Sequence, residues 1–122
     1  MNPEEADAPP RRMDDWRVFE TPAGERHAVG CTYEAGGYVR DGRITSPIKL
    51  WDASTATLTT RSGRRYALYR RPGLVLDGEY VFNAWCARNG VTGLTRDVSE
   101  EIWSQMVEAG AVDERGMPRK KG

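Results

Sequence analysis

Residues 55–71, TATLTTRSGRRYALYRR, decide how the rest of the chain can be arranged. Two runs of strand-forming residues flank Ser62-Gly63. A two-residue loop there would pair Leu58 with Ala67 and put Tyr66 and Leu68 on the face opposite Leu58. A three-residue loop, Arg61-Ser62-Gly63, pairs Leu58 with Tyr66 and Ala56 with Leu68, so that all four apolar groups share one face. A slip of one residue moves every side chain of a strand to the other face, so the face that must be buried selects the register. The three-residue loop is therefore expected. It is usually a type I turn closed by a residue at positive φ, a role Gly63 can fill because it has no Cβ to clash.

The opposite face of this hairpin carries Thr57, Thr59, Arg65, Ala67 and Tyr69, with Arg61 and Arg64 at the tip and Arg70 and Arg71 following. Guanidinium groups present forked donors that match phosphate and carboxylate. The candidate binding residues are accordingly Arg61, Arg64, Arg65, Tyr69, Arg70 and Arg71. A half-buried hairpin with a solvated cationic rim explains the same pattern without any ligand.

Outward from the hairpin, a chain of 122 residues makes one domain with one core. Charge is segregated behind a net charge of zero: segments 1–15, 16–39, 40–71, 72–114 and 115–122 carry −3, −1, +6, −6 and +4. A basic strand region thus lies beside an acidic helical one. This bears on partners and solubility rather than on fold, and the two regions can also satisfy each other internally.

Residues 1–15 are rich in Pro and charge and read as a disordered arm. Trp16–Glu20 reads as a first strand, ended by the Pro22-Ala23-Gly24 turn. His27–Tyr33 alternates as a half-buried strand. Within it, Gly30 implies a bend or a close approach by another backbone. Ala35-Gly36-Gly37 and Asp41-Gly42 read as turns, and Pro47 as a strand start or a sheet edge. Ile48–Trp51 forms the strand before the hairpin.

After Pro72-Gly73 the period changes to helical. Asp77 is a candidate cap for a helix with Tyr80, Val81, Ala84, Trp85 and Arg88 in a stripe, widened by Phe82 and Cys86, that stops at Asn89-Gly90. A second helix carries Val98, Ile102, Trp103, Met106 and Val107, with Asp97 or Ser99 as its cap, and stops at Gly110. Residues 111–122 read as a flexible basic tail. The expected fold is α+β: an antiparallel meander of about five strands with two short C-terminal helices packed on it. A small SH3-like barrel is the curled form of that meander.

Most enzyme classes find no support. Nucleophile elbows, Walker loops and dinucleotide fingerprints are absent. His27, the one histidine, and Cys31 would stand about 13 Å apart on a strand, too far for a nucleophile–base pair. Cys31 and Cys86 have no metal-ligand spacing and read as free, buried thiols. Asp97, Glu100 and Glu101 are what the dipole of a helix start attracts. No cofactor is expected. No apolar run reaches the ~20 residues of a membrane helix and no secretory signal is read, so a cytoplasmic location is expected.

The stretches ITSPIKLWDASTATLTTRSGRRYALY, EYVFNAWCARNGV and DVSEEIW, within residues 43–107, resemble small accessory proteins of phages and mobile elements. The resemblance lies in a strand meander with T-x-S-G-x-x-Y followed by a short Trp-containing helix. It implies stoichiometric, non-enzymatic binding to a host protein or protein–nucleic-acid complex, including inhibition of host defence, and it transfers no site residue. The alternative is direct nucleic-acid binding by the basic hairpin and the Arg119-Lys120-Lys121 tail, with Tyr66 and Tyr69 as aromatic groups interleaved for single strands.

Overall fold

The computed structural model describes residues 9–33, 40–73, 76–91 and 95–112. Seven strands form one sheet: β1 (Arg11–Glu20), β2 (Arg26–Tyr33), β3 (Arg40–Ile44), β4 (Ile48–Asp52), β5 (Thr57–Thr60), β6 (Arg65–Leu68) and β7 (Arg96–Asp97). Among the described residues two helices, α1 (Leu76–Arg88) and α2 (Ser99–Glu108), complete the α+β fold.

The hairpin adopts the three-residue register. Leu58 pairs with Tyr66, Leu68 N donates to Ala56 O at 2.9 Å, and Gly63 sits at φ 88°. Ala56, Leu58, Tyr66 and Leu68 are all buried. Burying each large side chain contributes roughly 1.5–3 kcal/mol, which holds this register against a slip.

The sheet is not a simple antiparallel meander of five strands. Its order is β3-β2-β1-β6-β5-β4, with β7 added beside β1. Two three-stranded meanders meet at a parallel pair, where Arg11, Arg12 and Met13 face Tyr66, Ala67 and Leu68. The first strand therefore begins at Arg11 rather than Trp16. Residues 11–15, expected in the arm, are its first half, and Met13 is fully buried.

A bulge explains why the sequence concealed this. Asp14 pairs with Cys31 and Arg17 with Val29, so Asp15 and Trp16 together oppose Gly30. The two buried side chains Met13 and Trp16 are then three residues apart and break the period of two. The close approach inferred at Gly30 is real: a Cβ there would lie 2.9 Å from Asp14 O and 2.7 Å from Met13 Cγ. Asp41-Gly42 is not a turn but lies within β3, opposite Thr32 and Cys31. The Ala35-Gly36-Gly37 turn falls outside the described residues.

Strands β3 and β4 end the sheet at opposite edges, yet only residues 45–47 join them. Six flat strands span about 24 Å edge to edge, whereas a three-residue link reaches about 14 Å. The sheet must curl. It stays open rather than closing into a barrel, since β3 and β4 are its two ends.

The curl encloses the main core of Met13, Trp16, Val18, Leu58, Tyr66 and Leu68, covered by Ile102 and Met106 of α2. A single core was expected, but a second, smaller cluster lies on the opposite face of β1 and β2: Phe19 and Val29 against Phe82 and Cys86 of α1. Phe19 and Phe82 stack at 4.7 Å. Both helices stop as read, with Gly90 at φ 69° and Gly110 at φ 74°. Ala111 and Val112, assigned to the tail, are buried in the main core; residues 113–122 lie outside the described residues, as does the Asp77 side chain.

Candidate binding surface

Among the described residues, helix α1 covers the outer face of the sheet over β1, β2 and the end of β3, through Phe19, Val29 and Ile44. The outer face of β4, β5 and β6 has no element packed on it among the described residues. There Leu50 pairs with Thr59, and Thr59 with Arg65. In the next row Asp52 pairs with Thr57, Thr57 with Ala67, and Ala67 with Arg12. Leu50 is the most exposed large apolar side chain described, at 62%.

The six candidate residues do not form one cationic rim. Arg61 and Arg64 stand at the hairpin tip, while Tyr69, Arg70 and Arg71 lie past the other end of β6. Six residues of extended chain separate Arg64 from Arg70, on the order of 20 Å. Arg65 lies between them, half-buried on the outer face. At the tip, Arg61 is ion-paired with Glu25, and Arg64 is exposed. At the strand exit, Tyr69 is half-buried beneath the Arg12 guanidinium, 4.4 Å from its ring centroid. Arg70 and Arg71 are exposed, and the Arg71 guanidinium lies 5.3 Å from the centroid of Trp103. Sequence reasoning missed Arg12 and Trp103 as members of this group. Arg12 was placed in the arm, and the contact of Arg71 with Trp103 depends on where α2 docks.

The densest charge network lies elsewhere, where β1 and β2 meet the start of α2. Arg26 bridges Glu20 at 3.0 Å and Glu101 at 2.9 Å, and Arg96 reaches Glu20 at 2.8 Å. These bonds from Arg96 and then Arg26 hold the Glu20 carboxyl below its usual range. Arg17 donates to Asp97 Oδ2 at 2.6 Å. Asp97 does not cap the helix in the usual way. Its Oδ1 accepts from Ser99 N at 2.9 Å and from Ser99 Oγ at 2.5 Å, and Ser99 Oγ accepts from Val18 N at 2.8 Å. Burial alone would raise the Asp97 carboxyl, but the bonds from Ser99 and Arg17 outweigh it and hold it low. The acidic helical region is thus paired with Arg17 and Arg26 of β1 and β2, and none of these bonds involves the basic segment 40–71.

The groups that invite catalytic readings have structural positions. His27 is buried, with Nδ1 2.9 Å from Thr45 O and its ring 4.7 Å from Trp85. Cys86 is buried in the α1 cluster, and desolvation raises its thiol pKa. Cys31 is half-buried and also free. Among the described residues no group of three or more His, Cys, Asp or Glu side chains is placed to hold a metal. A small apolar pocket of about 40 Å³, lined by Val18, Ile48, Trp51, Leu58, Leu68 and Ile102, with Arg26 beside it, lies within the curl. That is far below the ~300 Å³ at which ligand sites begin. Among the described residues no helix is long and apolar enough to cross a membrane.

No protein-family model matches the chain, and neither a search of curated proteins nor one of solved structures finds a match.

Proposed function

We propose that the protein acts by stoichiometric binding rather than turnover, as an accessory protein of the phage or mobile-element kind. Its target on this reading is a host protein or protein–nucleic-acid complex in the cytoplasm, and inhibition of a host defence system is the role it serves. The observation that carries the reading is the outer face of β4–β6. Among the described residues it is left bare where α1 covers the other half of the sheet. It bears the exposed Leu50 beside a row of threonines, with arginines at both ends. Apolar contact with a rim of arginines is the composition of a binding surface, where aromatic and Arg residues carry much of the energy.

The test is affinity capture from host extract, followed by reconstitution of the captured partner with purified protein. A one-to-one complex is expected, and Leu50→Asp combined with Arg64→Glu should weaken it at least about tenfold without loss of folding. An unaffected complex, or consumption of a small molecule by the purified protein, overturns the reading. Direct nucleic-acid binding is the second reading, favoured by the exposure of Arg64, Arg70 and Arg71.

A further inference from the structure

The segment leaving β6 is held in an uncommon shape. Tyr69 N donates to Met13 O at 3.0 Å and Gly73 N to Trp16 O at 3.1 Å. Between these two bonds three residues, Arg70–Pro72, bulge outward alongside the two-residue bulge of β1. Asp15 at φ 50° and Arg70 at φ 66° both occupy the left-handed region. Each such non-glycine residue costs about 1–2 kcal/mol. The surroundings enforce the shape. Trp16 Nε1 donates to Arg70 O at 3.1 Å and Arg17 Nη1 to Gly73 O at 3.2 Å. Gly73 abuts Asp15 so closely that a Cβ would lie 2.6 Å from the Asp15 Cα.

The result is a rigid bulge that turns Arg70 and Arg71 out to solvent between two guanidinium–aromatic pairs, Arg12 with Tyr69 and Arg71 with Trp103. A guanidinium seated on a ring keeps its edge donors for phosphate oxygens and its outer face for a base. Arg12 is also bonded to Asp14 at 2.8 and 2.9 Å, so its charge is offset. A duplex groove needs a protruding basic element. The helix beside the bulge is α2, and it carries Glu100, Glu101 and Glu108. Loose, unstacked strands fit better, since stacking on aromatic and Arg groups tolerates any base.

We infer that the Arg70–Arg71 bulge is a contact site for single-stranded nucleic acid, with two phosphates gripped by these arginines and a base stacked over the Arg71–Trp103 pair. The inference rests on the binding reading above and identifies the nucleic-acid part of its target.

Fluorescence anisotropy of the full chain with labelled oligothymidine and oligouridine of about 20 nucleotides tests it. Saturable binding should weaken with salt at a log–log slope of about −1.4, the value for two phosphates on a single strand. A duplex of equal length should bind more weakly. Arg70→Gly with Arg71→Ala, where glycine relieves the left-handed strain, should cost at least about tenfold. Arg71→Lys should keep the slope but lose a few-fold in affinity. No saturable binding, equal binding of duplex, indifference to the double variant, or equal competition by a poly-glutamate peptide overturns the inference. Any of these leaves the one-to-one capture experiment standing or falling on its own result.

Discussion

Gly30 and Asp97 carry more of this structure than their size suggests. Gly30 is the one residue of β2 that faces two residues of β1, and the backbone oxygen of Asp14 occupies the space a side chain would need. Gly30→Ala is expected to destabilise the fold by about 1–3 kcal/mol, the usual range for overpacking. A fall in the denaturant midpoint at constant slope would report it. Asp97 predicts a pH effect. Its carboxyl is held low in the folded chain, so its stabilisation is fully present above the ordinary Asp value. It is lost as pH falls from that value, about 3.9, through its own lower one. The Asp97→Asn chain should therefore be less stable at neutral pH and show a shallower acid limb in urea midpoints measured from pH 6 down to 2.

At the scale of elements, the Ser99 hydroxyl joins β1 to α2 beside the backbone bond from Val98 N to Val18 O. Ser99 is fully buried and supplies the acceptor for Val18 N while donating to Asp97. Ser99→Ala orphans that buried amide and should cost about 1–3 kcal/mol in urea unfolding. By contrast, the Thr57 hydroxyl on the open outer face donates only to its neighbour Thr55 O. Thr57→Ala should stay within about 0.5 kcal/mol of the parent. A large loss at Thr57 would mean that this face is covered rather than free. The hairpin was legible in the sequence because Leu58, Tyr66 and Gly63 satisfy rules of neighbouring residues. Strand β1 was not, because its bulge spaces Met13 and Trp16 by three and erases the alternation that marks a strand.

Across the whole molecule, the parallel pairing of β1 with β6 ties the two meanders together. A chain shortened to begin at Trp16 loses this pairing and the buried Met13 at once. It is expected to lose cooperative unfolding, seen as a flattened near-UV circular dichroism melt. Retention of a sharp transition would show that each meander suffices alone. The candidate surface divides along the same line. The six residues Arg61, Arg64, Arg65, Tyr69, Arg70 and Arg71 are close in sequence, which suggests one cationic end. Extended chain carries the last three to the far end of β6, where they meet Arg12 and Trp103 instead.

The sequence by itself determined the α+β class, the three-residue hairpin, the two helices and their glycine stops, because each depends on side-chain period or on a turn angle set within a few residues. Only the tertiary structure decided the mixed sheet, its curl, the second core and the partners of each arginine. Those follow from which distant segments share a hydrogen-bonded edge, and residues as far apart as Met13 and Leu68 leave no local trace of that choice.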